Sequence, residues 1–368
     1  MANKIVLFGA TGFTGRLTAK SLAAQGVSPL LVGRNQNKLD ALAKELGGLD
    51  TAIANADKLE SLASLLNEGD VLITTVGPFT RYGDTAIQAA ISKKAHYIDS
   101  TGEPGFIRKV FEQYGPQAKS AGITLLTAFG YDYVPGNAAA AAALNLDDSA
   151  TKVNVGYFVS GKGISASQGT QASVMQAMLD PGVFFEKGRL TEKVFDPKIK
   201  HFKIAGRTRP AASVPGSEHL ALPVSYPSLT DVNTYLGWFG AASYLMPLAT
   251  GFQALMLKIP GYHSVLDKFA QKFNRSEGKG PNEYLRSLNN TQVMAVAYNS
   301  KGKAVSEATL SGANPYDYTA DMLAWSAIHG LKQGYNDSGA LGPVAAFGSD
   351  LLFLACEECG LKLSQRKL

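Results

Sequence analysis

Cysteine is nearly absent, with two in 368 residues. That excludes a disulfide framework, and a four-cysteine zinc site with it. Charged residues are scarce at 18%, while apolar residues reach 45%, which excludes a disordered chain. The 38 glycines follow no three-residue period, so a collagen-like chain is excluded too. The five histidines lack ligand-spaced neighbours, and no metal is expected. The first apolar run, Ile5–Phe8, stops at Gly9 and is far too short for a signal-peptide core. A cytoplasmic protein is the expectation. The length suits two domains.

The net charge of +5 is small, but it is not spread evenly. Residues 1–150 hold 13 basic and 14 acidic groups, and residues 151–330 hold 18 and 12. The excess therefore belongs to the middle of the chain, which argues against nucleic acid as a partner.

The N-terminal third alternates short apolar runs with helical patterns. Ile5–Phe8 reads as a buried strand. It is followed by Gly9-Ala10-Thr11-Gly12-Phe13-Thr14-Gly15 and an amphipathic helix to about Gln25. A glycine triad between a strand and a helix supplies a tight turn and a helix N-terminus facing a pyrophosphate. The next strand ends in Gly33-Arg34-Asn35, with no acidic residue to hold a ribose 2′-hydroxyl. Arg34 suits a 2′-phosphate, which favours NADP over NAD. Further strands are expected at 51–55, 70–76, 96–99 and 123–128. Helices are expected at 59–66, 84–94, with Asp84 near the N-terminus, and 106–121.

This is a doubly wound parallel α/β sheet, a Rossmann domain, over residues 1–135. Ligands of such sheets lie beyond the carboxyl ends of the strands. The expected cofactor residues are Gly9, Ala10, Thr11, Gly12, Phe13, Thr14, Gly15, Arg34, Asp57, Val76, Gly77, Pro78 and Phe79. Tyr82, Asp99, Glu103, Tyr131 and Asp132 are the candidate catalytic groups. Each has a competing structural reading. Glu103 suits a helix dipole, for example, and Asp132 an Asx turn.

The runs GATGFTGR (9–16), VGPFTRYG (76–83), YIDSTGEPGFIR (97–108) and GYDYVPGN (130–137) resemble the saccharopine dehydrogenase-like NADP-binding oxidoreductases. The trans-acting enoyl reductases and the saccharopine dehydrogenase-like oxidoreductases of lipid droplets are the most similar branches. Weaker echoes occur at 280–288 and 339–352. The resemblance implies an NADP-carrying Rossmann domain, a second α+β domain and a C-terminal helix, 339–368, returning to the first. It implies hydride transfer but leaves the substrate open.

No tyrosine has a lysine four residues later, so the tyrosine–lysine pair of short-chain dehydrogenases is absent. The proton that must accompany a hydride would come from a tyrosine, a carboxyl of raised pKa, or water. Cys356-Glu357-Glu358-Cys359 closes a helix rather than opening one, and reads as structural.

The second domain is expected over 136–335. It should include a strand at 153–160, a helix at 165–179, a hairpin at 292–310 and a helix at 317–331. The stretch Asn233–Leu257 carries no charge and is flanked by basic segments. It suits a buried helix pair, a homodimer interface, or a contact with an anionic membrane surface or an acyl carrier. The expectation is an NADP-dependent oxidoreductase, cytoplasmic or peripherally membrane-associated, acting on a small-molecule or acyl-type substrate. An enoyl or carbonyl group of a bulky, apolar, lipid-linked molecule is the leading choice. The alternatives are a saccharopine-type amino-acid dehydrogenase and a non-catalytic NADP sensor or lipid-surface scaffold.

Overall fold

The computed structural model describes residues 3–161, 182–193, 197–204, 206–238, 240–245 and 280–368. The chain forms two compact units. The first comprises Met1–Val134 and Pro315–Leu351, and the second Pro135–Asn314 and Leu352–Leu368.

The first unit is built on β1 (Ile5–Phe8), β2 (Leu30–Gly33), β3 (Thr51–Ile53), β4 (Val71–Thr74), β5 (His96–Asp99) and β6 (Thr124–Leu126). A late strand, β15 (Gly339–Ala340), completes it in the order β15-β6-β5-β4-β1-β2-β3. All the pairings are parallel. β1 and β4 bury every side chain, which is why they read as unbroken apolar runs rather than alternating ones. Val6, Leu72, Tyr97 and Leu125 form the centre of the core. The helices are α1 (Phe13–Ala24), α2 (Gln36–Glu45), α3 (Leu59–Ala63), α4 (Phe79–Lys93), α5 (Pro104–Lys109) and α6 (Gly115–Ala121). The chain then leaves through α7 (Val134–Leu144) and returns in α8 (Pro315–Gln333).

Three features of this unit differ from the sequence expectation. α4 begins at Phe79, well before Asp84. Pro78 fixes the entry to the helix with φ −67°, and the Glu103 carboxylate accepts from the first two amides. Asp84 thus lies within α4, where it pairs with Lys109 at 2.5 Å. The helix expected at 106–121 starts at Pro104 and carries one π turn, Val110–Tyr114. The third difference is α8, whose residues were expected in the second domain. It belongs to the first unit, where it packs on α1 and over β1, β4 and β5.

The second unit opens with α7. Its sheet runs β10 (Ile199–Ile204), β11 (Arg207–Val214), β12 (Asp231–Leu236), β7 (Ala150–Gly161), β13 (Asn289–Asn299), β14 (Ala304–Gly312) and β16 (Leu361–Lys367). β8 (Gly182–Glu186) pairs with β12 and with β9 (Arg189–Lys193). The β12–β7 pairing is parallel, while the other pairings of this sheet are antiparallel. The β13–β14 hairpin turns at Gly302, whose φ of +77° requires glycine.

The C-terminal segment is not one helix on the first unit. Residues 361–367 are a strand paired with β14 in the second sheet. Residues 233–236 of the uncharged stretch also form strand, in β12, because β7 offers them an edge to pair with. Residues 240–245 make a short 3-10 turn. The rest of that stretch, residue 239 and 246–257, and the expected helix at 165–179 lie outside the described residues. Among the described residues no helix is long and apolar enough to cross a membrane.

Candidate active site at the carboxyl edge of the parallel sheet

Because every strand of the first sheet is parallel, the loops that follow them emerge along one edge. The loops along that edge and the helices they open carry the candidate cofactor and catalytic residues.

The turn after β1 is shaped by approaches that exclude side chains. Gly9 has φ +88°, and a β-carbon on it would fall 2.7 Å from Thr75 Oγ1 and 2.8 Å from Val76 Cγ2. A β-carbon on Gly15 would fall 2.2 Å from the Gly9 carbonyl oxygen. Gly12 is more open, its nearest contact being that same oxygen at 3.2 Å. Two glycines therefore lock the back of the turn, and the middle one leaves its front accessible to a ligand. Thr75 adds a tie, its hydroxyl donating to the Gly9 carbonyl at 3.2 Å.

Ala10 faces away from that front. Its side chain is buried, and its N–H donates to the Val32 carbonyl at 3.2 Å. It pins the turn to β2, so its amide is already spent within the fold. Thr11, Phe13 and Thr14 are half-buried around the turn. The Phe13 ring meets Tyr316 of α8 edge-on at 5.1 Å.

α1 starts directly on this turn. Gly12 is its N-cap, no side chain caps it, and its first turn holds no acidic residue. The amides of a first helical turn have no intrahelical acceptor and carry partial positive charge. An uncapped N-terminus on a glycine turn is suited to a pyrophosphate. Arg34 is exposed immediately after β2, and Asn35 caps α2 by accepting from Lys38 N at 3.0 Å. Asp57 is exposed in the turn beyond β3, its N–H donating to Asn55 Oδ1 at 3.1 Å.

The loop after β4 abuts the glycine turn through Thr75 and Val76. The Gly77–Pro78 peptide bond is cis. Glu103, 2% exposed, reaches this loop from beyond β5. One of its oxygens accepts from Phe79 N at 2.9 Å and the other from Thr80 N at 2.8 Å. Its carboxylate thus caps α4, not the helix beside it in sequence. Tyr82 is half-buried one turn further on, under the Arg81 guanidinium at 4.9 Å.

Asp99 is fully buried and occupied. It accepts from Thr101 N at 2.9 Å, Ala128 N at 2.8 Å and Thr127 Oγ1 at 2.9 Å. Burial pushes its carboxyl up to about 6 despite these donors. The Ala128 amide it holds belongs to a residue with φ +56°, unusual without glycine. Asp99 is therefore a clasp between the ends of β5 and β6.

Beyond β6, Tyr131 is buried and its N–H donates to Thr319 Oγ1 of α8 at 3.0 Å. Thr319 in turn donates to the Pro315 carbonyl at 2.7 Å. Asp132 is half-buried, and burial pushes its carboxyl up to about 6. Thr75, Tyr316 and Thr319 carry no sequence motif. The last two come from the far side of the second unit along the chain, which local pattern does not reach. Among the described residues no group of His, Cys, Asp and Glu could hold a metal ion.

With this geometry in place, the comparisons with known proteins are specific for the first unit. Residues 5–126 match the sequence profile of the Saccharopine dehydrogenase NADP binding domain. A trans-acting enoyl reductase of Mycobacterium ulcerans is 36% identical over 138 residues, 36% of this chain and 33% of that protein. A lipid droplet localized protein of Caenorhabditis elegans is 30% identical over 143 residues, 36% of this chain and 34% of that protein. The matched region spans about a third of these relatives' length. In fold, the chain is similar to the apo saccharopine dehydrogenase (L-Glu forming) of Saccharomyces cerevisiae. That likeness has a TM-score of 0.62 at 15% identity, covering 99% of this chain and 100% of the yeast one.

The residues present fit the cofactor of that domain. The uncapped end of α1 and the locked glycines suit its pyrophosphate. Arg34, where an acidic residue would select NAD, suits its 2′-phosphate.

Proposed function

We propose that the protein is an NADP-dependent oxidoreductase that reduces an enoyl or carbonyl group of a bulky apolar substrate. The observation that carries this reading is the uncapped N-terminus of α1 on a turn locked by Gly9 and Gly15, with Arg34 alongside. The names of the mycobacterial relatives support the enoyl choice, and that of the nematode relative supports a lipid link.

NADPH held there supplies a hydride, and the chain must supply the proton for the neighbouring atom. Asp132 is the donor we favour. It lies at the carboxyl edge and is half-buried, and its carboxyl is held near 6 by burial alone. Such a group is still partly protonated near neutrality. Asp99 and Glu103 have their oxygens committed to backbone amides or a hydroxyl, so neither is the donor.

The direct test is NADPH oxidation against enoyl thioesters, ketones and imines. Enoyl or carbonyl turnover supports the reading. Turnover of imino acids alone would replace it with an amino-acid dehydrogenase, and bound NADPH that reduces none of them would replace it with a sensor. Arg34→Ala should weaken NADPH binding by roughly 10- to 100-fold, the worth of a charge-assisted hydrogen bond, and leave NADH binding alone. Equal losses for both cofactors would remove Arg34 from the 2′-phosphate site.

The pH dependence follows from Asp132. Its protonated form declines as pH rises through about 6, so a proton-limited rate should fall about tenfold per unit above that point. Asp132→Asn should lower kcat without changing NADPH affinity. A pH profile that survives in the variant assigns the proton to another group.

The second unit supports an anionic partner surface. Residues 197–217 hold Lys198, Lys200, Lys203, Arg207 and Arg209 with no acidic residue, much of it on the β10–β11 ribbon at the sheet edge. Flotation with anionic vesicles at moderate salt checks this, and failure to float removes the lipid surface from the reading.

A further inference from the structure

The first unit has two long helices that start at the loops flanking the β1/β4 crossover, and it treats their N-termini in opposite ways. α1 is left uncapped. α4, 15 residues long, is closed by the carboxylate of Glu103, which takes both of its leading amides and is itself buried. Glu103 is held in turn, its own N–H donating to Thr101 Oγ1 at 3.1 Å. The sequence expectation for this residue was either proton transfer or a cap on its own helix. Neither describes a carboxylate that reaches across 24 residues of chain to a different one.

The strand order gives this closure a chemical meaning. β2 and β3 lie on one side of β1, and β4, β5 and β6 on the other. A dinucleotide with its pyrophosphate on α1 and its 2′-phosphate at Arg34 has its adenosine half on the β2 side. Its nicotinamide half then extends over the β4–β5 side, where the Val76–Phe79 loop and Glu103 lie. The oxidised nicotinamide ring carries a positive charge and the reduced ring carries none. A helix N-terminus amounts to about half a positive charge, so with the carboxylate in place the end of α4 is net negative by about half a unit.

We propose that Glu103 is a positioning residue that sets the electrostatics of the nicotinamide pocket. It holds the β4–α4 loop, and its charge favours the oxidised over the reduced cofactor. Bound NADPH is thereby made a stronger hydride donor than free NADPH. This rests on the NADP reading given above and deepens it.

The test is equilibrium binding of NADP⁺ and NADPH, which needs no substrate. Glu103→Gln keeps the shape and one acceptor, and changes the charge at the end of α4 by one unit. In the variant the ratio Kd(NADP⁺)/Kd(NADPH) should rise about fivefold or more, the size expected for a unit charge within a partly screened pocket. Thr80→Pro removes one of the two donors at a first-turn position that tolerates proline and leaves the carboxylate charged. It should weaken both cofactors equally and leave the ratio alone.

An unchanged ratio in Glu103→Gln overturns the proposal, whether or not the two affinities fall together. Should that variant fail to fold, Glu103→Asp retracts the charge by one methylene. It should shift the ratio in the same direction by less, and a fixed ratio there overturns the proposal equally. Wild-type protein that binds neither form would instead overturn the NADP reading, and this one with it.

Discussion

Gly15→Ala should abolish NADPH binding. Its new methyl carbon would lie 2.2 Å from the Gly9 carbonyl oxygen and 2.8 Å from the Gly9 carbonyl carbon, both backbone atoms. No side chain can swing away to relieve that contact. The helix must therefore lift off the turn, or the turn must leave its tie to Thr75. Either movement displaces the α1 amides from the pyrophosphate. We expect a loss of NADPH affinity of about 100-fold or more. Stability should fall by about 1–3 kcal/mol, as for an overpacked core site. Fluorescence titration and thermal melting read the two effects separately. Gly12→Ala is the control, since its closest approach is 3.2 Å and the fold should tolerate it. Its methyl carbon meets only the Gly9 carbonyl oxygen, so binding should weaken while the melting temperature falls by less than in Gly15→Ala. A Gly15→Ala protein that binds NADPH normally would show that the turn is not the cofactor's seat.

The second large effect belongs to Asp99→Ala. The substitution strips acceptors from two backbone amides and a hydroxyl, at a site with no solvent access. Each orphaned donor costs about 1–3 kcal/mol, so the three together should cost about 3–9 kcal/mol, enough to unfold many domains. Asp99→Asn retains one acceptor and should cost less. Chemical denaturation of both variants checks the order. The clasp also has a pH signature. Its folded-state carboxyl sits at about 6, above the ordinary 3.8, so the folded protein holds the proton more tightly than the unfolded chain. The proton-linked stability is full below about pH 4 and is lost as pH rises to about 6. Asp132 is raised in the same direction and adds to this slope. Asp99→Asn should flatten the dependence across that window. An unaltered slope would mean that other groups carry it.

The alternation of strands and helices from β1 to β6 was legible because a parallel sheet buries both faces, leaving continuous apolar runs between glycine turns. The glycine turn itself was legible for the same kind of reason, since only glycine permits backbone approaches this close. What could not be read was long-range pairing. Glu103 beside Pro104 reads as a cap for its own helix, yet its carboxylate serves one that begins 24 residues earlier. Asp99 reads as a polar group at a strand end, but Thr101, Thr127 and Ala128 all converge on it. Ala10 sits inside the glycine motif, but its amide faces β2 rather than the open side of the turn. The strand at the start of the uncharged stretch was hidden for a related reason. The first residues of the stretch, Asn233–Leu236, pair with β7, a partner set far earlier in the chain.

α8 ties the cofactor-binding unit to the order in which the chain is made. Met322, Leu323, Ala324 and Ala327 of this helix are fully buried, and it supplies Thr319 to the loop after β6. It follows Pro135–Asn314, the long segment that builds most of the other unit. A ribosome working at roughly 5–20 residues per second takes about 10–40 s to cover that distance. For that interval the seven-stranded sheet lacks β15, and α1 lacks its neighbour. The nascent unit presents an uncovered apolar face, a natural substrate for chaperones. A fragment ending near residue 135 reproduces this unfinished state permanently, so solubility should return only when 315–351 is supplied.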